Sequence, residues 1–156
     1  MTGSPDIAKT ADATLTDLAA RLRMAVVRTS RRLRQEAAGE GGELTPSGVS
    51  ALATVERHGP LTPSELADVE RIKRPTATRI LRGLEEAGLV DRSPDPEDGR
   101  SALLSVNGAG RERLRRLRGR KNAYLARRMR DLAAEDLKAL ERAASILEEM
   151  LEGEGR

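Results

Sequence analysis

Leu15, Leu18, Leu22, Val26, Thr29 and Leu33 recur at intervals of three and four residues, which keeps them on one face of a long helix. Arg21, Arg23, Arg28, Arg31, Arg32 and Arg34 fill much of the remaining surface. The helix is predicted to end before Gly39-Glu40-Gly41-Gly42, because glycine loses more backbone entropy than any other residue when held in a helix. Residues 1–13 are small and polar without periodicity and are read as a flexible arm.

Two helix starts then use one chemistry. In Leu44-Thr45-Pro46-Ser47 and Leu61-Thr62-Pro63-Ser64 the threonine can accept from free backbone N–H groups, while proline takes the first helical position, where no donor is needed. Glu65, three residues after Thr62, completes a capping box. The first of these helices closes at His58-Gly59-Pro60. The second points Leu66 and Val69 inward and runs out near Glu70. A further start follows at Arg74-Pro75, with Ala77, Ile80, Leu81 and Leu84 as the buried stripe and Gly88 as the stop. A short helix, a brief connection and a second capped helix have the spacing of a helix-turn-helix.

Beyond Gly88 the period changes from helical to extended. Leu89-Val90-Asp91-Arg92 and Ala102-Leu103-Leu104-Ser105-Val106 read as strands, and the prolines, acids and glycine of Ser93 to Arg100 specify a hairpin with an extended tip. Directly after a helix-turn-helix, such a hairpin is a wing. Asn107 can cap the next helix, whose apolar stripe of Leu114, Leu117, Tyr124, Leu125, Met129 and Leu132 is broken. In the last helix Leu137, Leu140, Ala144, Leu147 and Leu151 form an a/d seam. That seam and the amino-terminal stripe both need apolar cover, which predicts a homodimer built from the terminal helices of two chains, with an intramolecular helical subdomain as the alternative.

Composition narrows the possibilities. The 156 residues suit one domain, or one domain with an oligomerisation appendage, and with one Tyr and no Phe or Trp the core must be aliphatic. A β-sandwich or large α/β enzyme is disfavoured. The absence of Cys excludes disulfides, thiolate zinc sites, iron–sulfur clusters and thiol switching. No apolar run approaches a membrane span and no secretory h-region follows the start, so a cytoplasmic protein without membrane partners is expected. Net charge is only +3, but its distribution is uneven. Arg111 to Arg130 holds ten basic residues against Glu112 alone, and Asp131 to Glu154 holds eight acids against Lys138 and Arg142. The basic block is either a set of solvated helix faces or a surface for nucleic-acid phosphate.

Catalysis finds little to work with, and no enzyme is expected. His58 is the only histidine and falls in a last helical turn, where hydrogen bonds to free carbonyls are its natural role. No nucleophile–base arrangement or P-loop is present, and Asn107-Gly108-Ala109-Gly110-Arg111 lacks the third glycine of a dinucleotide fingerprint. Asp95, Glu97 and Asp98 lack the ligand spacing of a calcium loop, so neither metal nor cofactor is expected.

Recognition of double-stranded DNA accounts for more residues together. Opposite the buried stripe of the second helix of the pair lie Arg79, Arg82 and Gly83, with Thr76 and Thr78 at the flanks and Arg71, Lys73 and Arg74 at its start. Arginine suits guanine or phosphate, threonine suits base edges, and Gly83 allows close backbone approach. At the wing, Arg100 is the natural minor-groove probe, and Asp98 can pair with it and fix its direction.

The run from Thr76 to Arg92, with its Leu-Glu-x-x-Gly-Leu-Val-x-Arg junction, followed by Asp95-Pro96-Glu97-Asp98-Gly99-Arg100, resembles the MarR family of bacterial winged-helix regulators. The resemblance covers nearly the whole chain. It implies a mainly α fold, a winged helix-turn-helix with a small two- or three-stranded β wing and a helical dimerisation region, acting as a dimer on pseudo-palindromic operators. It further implies that Arg74, Thr76, Thr78 and Arg79 belong to the recognition-helix motif and that Asp98 and Arg100 form the wing pair. A small-molecule effector, frequently a phenolic or aromatic acid, is implied in the cleft between dimer base and winged unit; the lining of that cleft is not legible in the sequence, and Tyr124 is the one side chain that could stack on a ring. Two departures stand out: Gly99 replaces an arginine common in the family, and Ala133 stands where a capping Ser or Thr is common.

The expected organisation is therefore an arm and dimerisation helix over 1–44, a winged helix-turn-helix over 45–106 and closing dimerisation helices over 107–156. The expected function is sequence-specific transcription regulation, as a homodimeric repressor, through Lys73, Arg74, Thr76, Thr78, Arg79, Arg82, Asp98 and Arg100. A sequence-tolerant architectural DNA-binding protein, relying on the Arg111 to Arg130 block, is the alternative.

Overall fold

The computed structural model describes residues 5–37, 44–96 and 101–152. Six helices and two strands follow one another as α1 (Pro5–Ala37), α2 (Pro46–His58), α3 (Pro63–Val69), α4 (Arg74–Glu86), β1 (Val90–Pro94), β2 (Ala102–Val106), α5 (Gly108–Met129) and α6 (Ala134–Glu152). The fold is mainly helical with a small antiparallel sheet, as expected. One boundary differs: α1 begins at Pro5, so most of the segment read as an arm is helical. Its register of apolar residues starts only at Leu15, but Ala8, Ala11 and Ala13 have high intrinsic helix propensity and Pro5 suits a first turn.

The core lies inside the winged unit. Leu52 and Val55 of α2, Leu66 and Ala67 of α3, and Ala77, Leu81 and Leu84 of α4 meet Val90, Leu104 and Val106 of the strands and Leu114 of α5. Val69, expected to face inward, is 50% exposed. In a helix of two turns it stands roughly 200° around the axis from Ala67, at 100° per residue, so both cannot face the core.

β1 and β2 pair from Val90↔Val106 to Pro94↔Ala102. Leu61 adds a third short rung, its N–H donating to Leu104 O at 3.0 Å and its carbonyl accepting from Leu104 N at 2.9 Å. This rung fixes the wing to the start of α3. At the other end Asn107 joins three elements. Its Oδ1 accepts from Gly110 N–H at 3.0 Å, and its Nδ2 donates to Gly88 O and to Asp91 Oδ1, both at 3.0 Å. Gly110 is required by close approach, because a Cβ there would overlap the Leu89 carbonyl and lie 2.7 Å from Val106 Cγ2.

α1 packs against α5 near its carboxyl end, where Ala37 is buried. Toward the amino end Leu15, Leu18, Leu22 and Val26 remain open to solvent, and α6 buries none of its residues. The two apolar stripes therefore do not cover one another within a single chain. α6 follows Ala133, which has no side-chain oxygen to cap it; Leu137 N–H donates to the Ala133 carbonyl at 3.1 Å.

Candidate nucleic-acid interface

α3 is built by its first residue and held by its last. Thr62 Oγ1 accepts from Glu65 N–H at 3.2 Å while the Glu65 carboxylate accepts from Thr62 N–H at 2.7 Å, the reciprocal capping box expected from sequence. At the far end Ile72 N–H donates to Ala67 O at 2.9 Å and Arg71 N–H to Asp68 O at 3.3 Å. This Schellman arrangement needs a left-handed residue at Arg71, whose φ is 51°. A left-handed backbone costs a residue with a Cβ about 1–2 kcal/mol, and Arg71 occupies it without the relief that glycine supplies. The same closure recurs after α4 with Gly88, at φ 68°, in the strained position.

The turn is braced from α2. Ser50 Oγ donates to Glu70 Oε2 at 2.7 Å, and Thr54 Oγ1 bonds to the other oxygen of the same carboxylate. With Ile72 packed on the core behind it, the turn sets the direction in which α4 leaves.

α4 buries Ala77, Leu81 and Leu84, and Ile80 packs partly against the same core. Lys73, Arg74, Arg79, Arg82 and Gly83 are exposed. Among the described residues none of the four cations is ion-paired, so the face is positively charged and open. Lys73 precedes the helix without a side-chain capping bond, and open space surrounds Gly83. Thr76 is half-buried. Thr78 is exposed, and its hydroxyl donates to the Arg74 carbonyl at 3.0 Å. A partner could then use the Thr78 methyl or oxygen lone pairs rather than its proton. Asp98 and Arg100 lie outside the described residues. At the base of the wing, Asp95 N–H donates to Ser101 O at 3.2 Å. Arg92 of β1 pairs with Glu85 of α4 at 3.2 Å, a link that the strand reading did not anticipate.

A second feature lies away from the α4 face. A cleft of about 420 Å³ opens between α1, α2 and α5, with Leu33, Val49 and Leu117 on its apolar wall and Ser30, Arg34, Ser50, Arg113 and Lys121 among its polar groups. Its residues come from distant parts of the chain, which no local spacing connects. Tyr124 is not among them. The guanidinium groups of Arg32 and Arg128 each stand over its ring, 5.7 Å from the centroid. The hydrogen bond from Arg128, then that from Arg32, favours the phenolate and lowers the Tyr124 pKa from its ordinary value. The same bond to Tyr124 raises that of Arg128.

His58 occupies the last position of α2 and is exposed. Among the described residues its ring makes no hydrogen bond to the free carbonyls of that turn; exposure leaves water as an equivalent partner. Among the described residues no group of His, Cys, Asp or Glu is disposed to hold a metal, and no helix is long and apolar enough to cross a membrane.

A short helix, a fixed turn, a helix with an open cationic face and a hairpin braced to both define a winged helix-turn-helix. Residues 44–102 match the MarR family. The chain is 37% identical over 130 residues to the Uncharacterized HTH-type transcriptional regulator Mb0904 of Mycobacterium bovis, covering 83% of this chain and 90% of that protein. A solved transcriptional regulator protein of Pseudomonas aeruginosa superposes with a TM-score of 0.75 at 34% identity, over 88% of this chain and 95% of that one. A variant of S. aureus MepR, solved bound to an oligodeoxyribonucleotide, shares the fold at a TM-score of 0.66 and 18% identity, over 86% of this chain and 97% of its own. The chain belongs to the MarR family and is a DNA-binding transcriptional regulator.

Proposed function

We propose that the protein is a cytoplasmic repressor that binds a pseudo-palindromic operator as a homodimer and leaves it when a small organic anion enters the cleft. The observation that carries the reading is the open face of α4, where Lys73, Arg74, Arg79 and Arg82 stand exposed. Arg79 and Arg82 would read or grip the major groove, Lys73 and Arg74 would neutralise phosphate, Thr76 and Thr78 would flank the base edges, and Asp98 and Arg100 would serve the minor groove. The oligodeoxyribonucleotide bound by the MepR relative supports this assignment of the fold's use.

Residues 1–44 and 107–156 supply the dimer, and residues 45–106 the DNA-binding region. Support comes from the exposed stripes of α1 and α6, which include Leu15 at 64% and Leu151 at 72% exposure. Burying such side chains fully is worth about 1.5–3 kcal/mol each, so leaving two stripes in water is unfavourable when a second copy can cover them. Two recognition helices held about 34 Å apart would then enter successive major grooves, and a dimer on a promoter excludes polymerase without an activating contact. Three cations around an otherwise largely apolar cleft suit an organic anion, the class of effector implied by the family resemblance.

The test is a binding titration at matched salt with a duplex taken from upstream of the protein's own gene. Arg79→Ala should weaken binding by about 1–3 kcal/mol, roughly 5- to 150-fold, while Lys73→Ala should lower the salt slope by about one. Unchanged affinity in Arg79→Ala would contradict the assignment. The exposed arginines of α5 favour the architectural reading, which equal competition by random duplex would support instead.

A further inference from the structure

The turn that aims α4 is disfavoured by its own backbone and held by its neighbours. Arg71 keeps a positive φ, a conformation that persists in a residue with a Cβ only where the surroundings over-determine it. One part of that restraint is the Glu70 carboxylate, gripped by the Ser50 and Thr54 hydroxyls of α2. Ser50 also lines the cleft that contains Arg34, Arg113 and Lys121. A serine hydroxyl has one proton to donate. It can serve Glu70 or an anionic oxygen in the cleft, but not both fully.

We infer that Ser50 is the positioning residue through which an anion in the cleft is sensed at the recognition helix. The anion accepts the hydrogen bond of the Ser50 hydroxyl, Glu70 loses one of its two hydroxyl partners, and the restraint on Arg71 weakens. Thr54 remains on Glu70, so the turn loosens without unfolding and α4 loses part of its alignment for DNA. The inference rests on the reading of this cleft as the effector site. Coupling of this kind corresponds to a decrease in affinity of about tenfold.

The chain contains no cysteine, so Ser30→Cys places a single thiol on the cleft wall. Iodoacetate alkylates it: the thiolate sulfur bonds to the methylene carbon, iodide leaves and the thiol proton passes to buffer. A carboxylate is thereby fixed in the cleft without the natural effector, and iodoacetamide supplies a neutral control of similar size. The readouts are affinity for the upstream duplex and, in the free protein, hydrogen exchange of the Arg71 and Ile72 amides. Carboxymethylation should weaken binding about tenfold and accelerate both amides, with a smaller effect from the neutral adduct.

In the Ser50→Ala background affinity should already be lowered, and carboxymethylation should add nothing; Ser50→Thr, which keeps a hydroxyl, should restore the response. An equal further loss in Ser50→Ala, or unaltered amide exchange on carboxymethylation, would overturn the inference. If the unmodified protein does not bind the duplex, the functional reading fails while amide exchange still decides the role of Ser50. Should Ser30→Cys not fold, Leu33→Cys places the thiol on the same wall.

Discussion

Gly110 and Gly83 allow one substitution to be tested with opposite expected signs. At Gly110 an added methyl would overlap the Leu89 carbonyl and lie 2.7 Å from Val106 Cγ2, in the joint between wing and α5. Overpacking of this kind costs about 1–3 kcal/mol. The forced shift also disturbs the bond from Gly110 N–H to Asn107 Oδ1, a cap worth about 1 kcal/mol. Gly110→Ala is therefore expected to destabilise by about 2–4 kcal/mol. At Gly83, inside α4, a Cβ meets nothing within 4 Å, and replacing a helical glycine by alanine should stabilise by about 0.5–1 kcal/mol. Urea unfolding at one fixed protein concentration measures both, because the stability of the proposed dimer would depend on concentration. With a slope of about 2 kcal/mol/M, Gly110→Ala should lower the midpoint by about 1–2 M and Gly83→Ala should raise it by about 0.3–0.5 M. An unchanged midpoint in Gly110→Ala, or shifts of the same sign, would refute the packing argument.

Three further outcomes can be checked separately. Thr62→Ala removes the capping box of α3 and should cost about 1 kcal/mol in the same urea titration, with no change for an exposed control such as Ser47→Ala. Asn107→Ala breaks the links to Gly88, Asp91 and Gly110 and should lower stability by about 1–2 kcal/mol. Tyr124 is the sole tyrosine and no tryptophan is present, so alkaline absorbance reports it cleanly. Its midpoint should fall below 10.0, and Arg128→Gln should move it back upward. Because the folded-state pKa is depressed, the associated stabilisation is present above the unfolded value and is lost as pH falls through the folded one, so it contributes at alkaline pH and not near neutrality.

Much of the winged unit was legible because local chemistry and burial agreed there. Thr62 with Glu65, Pro75 at the start of α4, Gly88 at its end and Asn107 before α5 each mark a boundary that the structure retains. Ala77, Leu81 and Leu84 assign the buried side of α4, and so leave Arg79 and Arg82 on the open side. Legibility failed where geometry depends on distant residues. Val69 looked apolar and inward, but Ala67 faces the core in its place. The Leu61 rung, the Ser50–Glu70 bond and the cleft join segments that no periodicity connects. The stacking of Arg32 on the Tyr124 ring joins α1 to α5 in the same way, across a separation that no local spacing spans. Nor does glycine alone mark a left-handed turn: Gly88 announced one, and Arg71 concealed the other.

Hydroxyl-radical footprinting on the DNA upstream of the protein's own gene tests the central proposal most directly. Paired recognition helices predict two protected windows centred one helical turn apart, about 10–10.5 base pairs, symmetric about a pseudo-palindrome and weakened together in Arg79→Ala. Uniform protection that random duplex removes equally well, or a single window without a symmetric partner, would contradict it.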